Sequence, residues 1–161
     1  MKYLSGKEKE EAKNFMDLAA IVANGSSCLR TKCGSVIVKD IEVIGYGFNS
    51  PPGNKRLEKC LKDDLPDGFK SDKTCCIHAE ERAIMLALRK DPQGITLLGS
   101  RLYFIRLDEK GEKTFAGKPY CTICSKMALD VGISEFTLWH EEGICVYGTE
   151  EYNQLSFGYK R

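Results

Sequence analysis

Two short stretches decide how this chain folds: Ile77-His78-Ala79-Glu80 and, further along, Lys118-Pro119-Tyr120-Cys121-Thr122-Ile123-Cys124. Helix-forming residues follow each of them, so each places its polar side chains at the start of a helix. Cys121 and Cys124 are three residues apart and therefore share one helix face. A helix N-terminus also favours the thiolate form that a metal ion binds. The two stretches therefore predict two helices whose N-terminal ends meet at one metal site.

The residue types at this site indicate zinc. His78, Cys121 and Cys124 supply three ligands of the kinds that Zn²⁺ takes in proteins. Three protein ligands leave the fourth tetrahedral position to water, which is typical of a catalytic site. Glu80 is not needed as a ligand and lies two residues from His78, so it is the candidate catalytic carboxylate.

The residues alone leave two alternatives open. One is a structural zinc held by four cysteines, in which Cys121 and Cys124 combine with two of Cys60, Cys75 and Cys76. The other is a metal-free Cys-x-x-Cys redox pair.

Length and composition are those of one globular domain, so we expect a single domain over residues 1–161. The formal net charge is +1, which argues against a large nucleic-acid footprint, so a nucleic-acid partner is not expected. Residues 1–10 contain no apolar signal-peptide core, and no segment has the apolar length of a membrane helix, so no membrane association is expected. Eight cysteines without a secretion signal favour the reducing cytoplasm.

The hydrophobic periodicity predicts elements in the order α-β-β-α-β-α-β-α. Helices are predicted from Ser5 to Asn24-Gly25 and at about 78–90, 122–131 and 149–158. Strands are predicted at 33–39, 42–48, 101–107 and 135–140, with Asp40 and Ile41 as the turn between the first two. This order predicts an α/β protein with three α/β/α layers, in which helices cover both faces of a mixed sheet of about five strands.

Two polar segments interrupt this order. Residues 49–76 form a long loop insertion, and residues 108–117 form a short excursion with Lys110-Gly111 at its tip. Loops as long as the first are usually functional or inserted.

The chain resembles the cytidine deaminase-like superfamily of zinc-dependent nucleobase deaminases, and within it the deoxycytidylate deaminases, over roughly residues 19–138. Four stretches carry the resemblance: Ser27-Cys28-Leu29-Arg30-Thr31-Lys32-Cys33-Gly34-Ser35-Val36-Ile37-Val38, Ile44-Gly45-Tyr46-Gly47-Phe48-Asn49-Ser50, His78-Ala79-Glu80 with Ala83-Ile84, and Cys121-Thr122-Ile123-Cys124.

The resemblance implies a mechanism. His78, Cys121 and Cys124 would hold one catalytic Zn²⁺, and Glu80 would act as proton shuttle, taking the proton from the zinc-bound water and delivering it to the ring nitrogen beside the reacting carbon. The hydroxide attacks the amino-bearing carbon of cytosine, so that dCMP becomes dUMP plus ammonia. The resemblance leaves other substrates of the same zinc site as alternatives: cytidine or deoxycytidine, guanine, a tRNA adenosine or single-stranded nucleic acid. A non-catalytic zinc module is the alternative outside enzymes.

The resemblance also implies contacts with the base. The backbone N–H of Ala79 would bind the base carbonyl, and Asn49 would touch the base or the sugar. Tyr120 stands where the family has proline directly before the first cysteine, so its carbonyl would accept the hydrogens of the leaving amino group. The structural alternatives are a turn residue for Asn49 and an ordinary buried aromatic for Tyr120.

The phosphate contacts implied by the resemblance lie in a basic loop. Arg30 and Lys32 match the loop that meets the 5′-phosphate in the deoxycytidylate branch, and Ser27 would add a hydroxyl donor. The alternative is a solvated basic turn between a helix and a strand.

Some deoxycytidylate deaminases hold an additional structural zinc in the loop that corresponds to residues 49–76. Cys60, Cys75 and Cys76 are therefore predicted as a second metal site. Enzymes of this superfamily are commonly homo-oligomers, so a homo-oligomer that binds a small pyrimidine nucleotide or nucleoside is expected.

Overall fold

The computed structural model describes residues 1–66 and 75–159. Their regular elements are β1 (Lys2–Tyr3), α1 (Gly6–Ala23), β2 (Lys32–Lys39), β3 (Glu42–Phe48), α2 (Ala79–Lys90), β4 (Arg101–Leu107), β5 (Lys113–Thr114), α3 (Thr122–Asp130), β6 (Glu135–His140), β7 (Gly143–Gly148) and α4 (Thr149–Gly158). Within these ranges no helix is both long enough and apolar enough to span a bilayer.

The strands form one mixed sheet in the order β1-β7-β6-β4-β2-β3, and β5 pairs with β4. β4 and β6 run parallel, whereas the other described pairs are antiparallel. β2 and β3 form the predicted hairpin, and Asp40 and Ile41 at its turn have φ angles of 49° and 64°. Consecutive residues with positive φ give a turn whose twist matches that of the strands.

Two hydrophobic cores lie on opposite faces of the sheet. Side chains alternate along β2, so that Val36 and Val38 pack with α1 whereas Ile37 packs with α2 and α3. The three α/β/α layers predicted from the sequence are therefore confirmed.

The predicted number of about five strands is too low, since the sheet has seven among the described residues. β1 and β5 contain two residues each, which is too short to show a period. β7 carries the apolar run Ile144-Cys145-Val146-Tyr147, which is buried throughout and so lacks the alternation that marks a half-exposed strand.

The 108–117 excursion is fastened to the rest of the fold. Its β5 pairs with the end of β4, and Lys113 forms an ion pair with Asp17 of α1. The backbone N–H of Ala116 donates to the carbonyl of Trp139 at 2.9 Å. The second metal-binding stretch, which begins directly after the excursion, is therefore held next to β6.

Residues 49–66 of the longer insertion contain two short 3₁₀ turns, at Pro52–Asn54 and Leu61–Asp64. The part of this insertion at residues 67–74 lies outside the described residues.

Candidate active site

The three predicted zinc ligands come together at the ends of two helices. His78 immediately precedes α2 and Cys121 immediately precedes α3. Nδ1 of His78 lies 3.2 Å from Sγ of Cys124 and 3.3 Å from Sγ of Cys121. All three donor atoms lie within 4.8 Å of one another. The helix-end arrangement predicted from the sequence is therefore present.

This donor set fits zinc. With the usual Zn–S and Zn–N bond lengths, a tetrahedral site separates sulfur from nitrogen by about 3.5 Å. The two observed sulfur–nitrogen separations are close to that value. Since the histidine groups with Cys121 and Cys124, the four-cysteine alternative that used these two thiols is not what the structure shows.

The surroundings of Cys121 favour its thiolate form, which is the form that binds a cation. Sγ of Cys121 accepts a hydrogen bond from the Cys124 thiol and lies beside His78, and together these contacts lower the pKa of Cys121 to about 4. The hydrogen bond to Cys121 correspondingly raises the pKa of His78 to about 9. The backbone N–H of Cys124 also donates to Sγ of Cys121 at 3.4 Å. A negative sulfur therefore stands at the helix N-terminus, where the helix dipole favours it.

Glu80 is buried at the bottom of the site. Only 6% of its surface is exposed. This burial raises the pKa of its carboxyl to about 7, while the nearby His78 opposes the rise. A carboxyl with a pKa near neutrality is suited to accept and return a proton.

The start of α2 is held by hydrogen bonds that the sequence analysis did not anticipate. Oε2 of Glu81 accepts the backbone N–H of His78 at 2.7 Å. Nη2 of Arg82 donates to the carbonyls of Ser50 and Pro51 at 3.2 and 3.0 Å. A glutamate three residues after the residue that precedes a helix is a recognisable capping signal, so Glu81 was identifiable from the sequence.

A cleft of about 320 Å³ opens above these groups. Its lining residues are Thr31, Cys33, Asn49, Lys62, His78, Ala79, Glu80, Phe104, Arg106, Ala116, Lys118, Tyr120, Cys121, Leu138 and Tyr152. The cleft therefore joins the metal-ligand group to residues of both polar segments.

The three residues predicted to contact the base all line this cleft. Ala79 is the first residue of α2, and Tyr120 is partly exposed. Asn49 is held in place, because its Oδ1 accepts the backbone N–H of Cys33 at 2.8 Å and its Nδ2 donates to the carbonyl of Thr31 at 2.8 Å. An amide nitrogen has two hydrogens, so the bond to Thr31 leaves a second donor. The contacts of these residues with a base stay predictions.

The three residues predicted to contact the phosphate do not line this cleft. Arg30 forms an ion pair with Asp63 at 2.5 Å, and Arg30 and Lys32 line a neighbouring cleft next to the 108–117 excursion. The hydroxyl of Ser27 donates to Oδ1 of Asn54 at 3.0 Å and to a backbone carbonyl at 3.1 Å. Their role in phosphate binding stays a prediction.

Four cysteines gather where the long insertion meets the loop that precedes β2. Sγ of Cys75 lies 3.7 Å from Sγ of Cys60 and 3.9 Å from Sγ of Cys76. Cys76 also makes a hydrogen bond with Cys28, and its burial raises the pKa of its thiol. The sequence analysis named three members of this group and did not identify Cys28.

The sequence analysis also missed the basic residues of the cleft, Lys62, Arg106 and Lys118. Arg106 carried a signal, because it is a charged residue at the end of the otherwise apolar β4. Nothing in the local sequence marks the two lysines.

Comparison with known proteins gives consistent results. Residues 9–139 match the family model for the cytidine and deoxycytidylate deaminase zinc-binding region. The chain is similar to deoxycytidylate deaminase of Saccharomyces cerevisiae, with 31% identity over 84% of this chain and 42% of that protein. It therefore spans about two fifths of the length of the yeast protein.

Two phage proteins are also similar. Deoxycytidylate deaminase of Mycobacterium phage D29 is 34% identical over 57% of this chain and 74% of that protein. The crystal structure of dCMP deaminase from cyanophage S-TIM5 in complex with dCMP and dUMP has a TM-score of 0.55 and 24% identity, over 81% of this chain and 82% of that chain. This structural likeness supports the fold.

Proposed function

Since the chain belongs to the cytidine and deoxycytidylate deaminase zinc-binding family, we propose that it is a zinc-dependent deaminase that converts dCMP and water to dUMP and ammonia. The observation that carries the proposal is the buried carboxyl of Glu80 beside the His78, Cys121 and Cys124 donor group, on the floor of a cleft of about 320 Å³. A structural zinc site has no use for a buried acid next to its ligands.

His78, Cys121 and Cys124 would hold the zinc, which when bound acts as a Lewis acid and lowers the pKa of a water to about 7. Glu80 takes a proton from the attacking water and delivers it to the ring nitrogen next to the reacting carbon. The same carboxyl then takes the second proton of that water, from the hydroxyl now bonded to the carbon, and gives it to the departing amino group, so that the carbonyl of dUMP forms as ammonia leaves. One side chain can serve in both directions because Glu80 is buried beside the donor group and is not itself needed as a ligand, so its carboxyl is free to accept a proton and return it.

Backbone groups at the cleft orient the base in this proposal. The N–H of Ala79, in the first turn of α2, is among those that lack a partner within the helix. It would donate to the base carbonyl. The carbonyl of Tyr120 would accept hydrogens of the amino group, and the remaining Nδ2–H of Asn49 would face the base or the sugar.

The test is ammonia release from purified, zinc-loaded protein. The substrates are dCMP, CMP, deoxycytidine, cytidine, guanine and a tRNA adenosine substrate, and we expect dCMP to have the highest kcat/KM. Glu80→Gln should abolish turnover while the zinc content stays that of the parent protein, since Glu80 is not a ligand. If ammonia is released only from guanine or only from the tRNA substrate, that compound replaces dCMP as the proposed substrate. If no compound releases ammonia, the proposed deaminase activity is refuted.

We also propose that Cys28, Cys60, Cys75 and Cys76 form the second, structural zinc site. Four thiolates around a tetrahedral zinc lie about 3.8 Å apart, and the Cys60–Cys75 and Cys75–Cys76 sulfur separations are 3.7 and 3.9 Å. Among the described residues only His78, Cys121 and Cys124 bring three donor atoms within 4.8 Å of one another, so a bound zinc would have to draw the four thiols closer together. Such a site would fasten the middle and the C-terminal end of the insertion to the loop that precedes β2.

Zinc analysis tests this second site. We expect two zinc ions per chain in the parent protein and one in Cys60→Ser, with the remaining zinc still supporting turnover. Cys145→Ser is the matched control and should keep both ions, because Cys145 is a buried thiol of β7 outside the cluster. A single zinc in the parent protein contradicts this proposal.

A cytoplasmic homo-oligomer is proposed for the whole protein. All eight cysteines are free thiols, which supports a reducing compartment. Leu155, Phe157 and Tyr159, at the end of the chain, are exposed large hydrophobic residues and support an interface between copies.

A further inference from the structure

The active-site cleft is positively charged above its floor. Three separate segments each contribute one cation to the lining: the long insertion contributes Lys62, β4 contributes Arg106, and the segment after the excursion contributes Lys118. Glu80 is the one carboxylate among the described residues that line the cleft. A dianionic ligand would therefore meet an excess of positive charge here.

These three cations are not neutralised by the protein. Within residues 1–66 and 75–159, no salt bridge involves Lys62, Arg106 or Lys118. Arg30 differs, since its guanidinium is already paired with the carboxylate of Asp63 at 2.5 Å. A phosphate at Arg30 would have to displace that carboxylate, whereas a phosphate at Arg106 would displace none.

The acidic group and the basic groups of the cleft lie at different depths, as the base and the phosphate of a bound nucleotide would. Glu80 is buried on the floor, whereas Arg106 and Lys118 are exposed and Lys62 is half-buried. Cys33 lines the cleft with both residues, and its thiol is within electrostatic range of each: beyond the effect of burial, the Glu80 carboxylate raises its pKa and the Arg106 guanidinium lowers it. A base that reaches Glu80 therefore leaves its sugar and phosphate at the more exposed level of the cleft, which Arg106 lines.

We propose that Arg106 is the residue that selects the nucleotide over the nucleoside, by binding the 5′-phosphate with help from Lys62 and Lys118. This inference depends on the proposed function for the identity of the base, and it moves the phosphate from the basic loop of Arg30 and Lys32 to the end of β4. The planar guanidinium of Arg106 binds two phosphate oxygens at once, whereas each ammonium contributes a single positive charge.

The test measures binding of the product, so that it does not depend on turnover. Calorimetry gives the Kd of dUMP and of deoxyuridine for zinc-loaded parent protein and for Arg106→Gln. We expect the parent protein to prefer dUMP. Arg106→Gln should raise the Kd of dUMP about 10- to 150-fold, the effect expected when hydrogen bonds to a charged group are lost. The Kd of deoxyuridine should stay within about 3-fold of the parent value.

Three further variants sharpen the result. Arg106→Lys should recover only part of the affinity for dUMP, because the charge returns without the planar fork. Arg56→Gln removes a charge from an exposed arginine outside the cleft lining and should change neither affinity. Arg30→Gln tests the rival site directly, and a loss of dUMP affinity in this variant with none in Arg106→Gln would overturn the inference.

The outcomes separate this inference from the proposed function. If the parent protein deaminates dCMP but Arg106→Gln keeps the parent preference for dUMP, the deaminase stands and the role of Arg106 is refuted. If the parent protein binds dUMP through Arg106 but releases no ammonia from dCMP, the phosphate site stands and the proposed function is refuted. Equal affinity of the parent protein for dUMP and deoxyuridine refutes the phosphate site itself.

Discussion

The position of Glu80 depends on a glycine in a different element, which makes Gly47→Ala an informative substitution. Gly47 lies in β3 against the start of α2, and an added Cβ would lie 2.5 Å from the carbonyl oxygen of Ala79 and 2.6 Å from the backbone nitrogen of Ala83. It would also lie 2.5 Å from Cβ of Arg82. Two of these neighbours are backbone atoms, so a change of rotamer cannot relieve the contact.

The size of the effect follows from these distances. To reach an ordinary contact of 3.4 Å, α2 must move away from β3 by about 0.9 Å. Overpacking of this kind costs about 1–3 kcal/mol in the free energy of unfolding. His78 and Glu80 move with the helix, and a displacement of about 1 Å at a catalytic group lowers the rate about 100-fold.

Urea unfolding and ammonia release from dCMP measure the two effects. Gly158→Ala is the matched control, because a Cβ at Gly158 meets no atom within 4 Å, and it should preserve both stability and rate. A free energy of unfolding of Gly47→Ala within about 0.5 kcal/mol of the parent value, together with deamination of dCMP at the parent rate, would refute this reasoning. The close approach of α2 to β3 would then not position the site.

Three other substitutions or modifications test the rest of the fold. Leu97 is fully buried, so Leu97→Ala should lower the free energy of unfolding by about 2–5 kcal/mol in urea, and a loss below about 1 kcal/mol would contradict its place in the core. Arg101 joins β4 to Glu135 of β6 at 2.6 Å and to Glu8 of α1 at 3.4 Å, but these groups are partly exposed, so Arg101→Met should cost no more than about 1 kcal/mol in the same assay. Burial raises the pKa of Cys33 to about 12, so at pH 8 iodoacetamide should alkylate it far more slowly than a free thiol, with the rate rising towards pH 12. Mass spectrometry follows this labelling, and modification of Cys33 at the rate of a free thiol would show that its pKa is not raised.

Local sequence signals were sufficient for much of this protein. The helix after Ser5 and the hairpin turn at Asp40 and Ile41 follow from periodicity and turn chemistry, which act over a few residues. The grouping of His78 with Cys121 and Cys124 also followed from sequence, because ligand types and their position at helix starts restrict how a metal site can be built.

Other features depend on contacts between distant segments. β7 shows no alternation because its residues are covered on both faces, and β1 is only two residues that pair with it. Cys28 carried no local signal, since its partners lie in an insertion that begins some twenty residues later along the chain.

The sequence by itself determined the composition of the candidate site, because the three metal-ligand residues and Glu80 lie within two short stretches at the starts of two helices. The tertiary structure decided which cations line the cleft. Arg30 and Lys32 match a family pattern, yet folding pairs Arg30 with Asp63 and leaves Lys62, Arg106 and Lys118 on the cleft. The physical reason is that the effect of a charge depends on its position and on its distance from the nearest opposite charge. Both depend on how the sheet, the 49–76 insertion and the 108–117 excursion pack together.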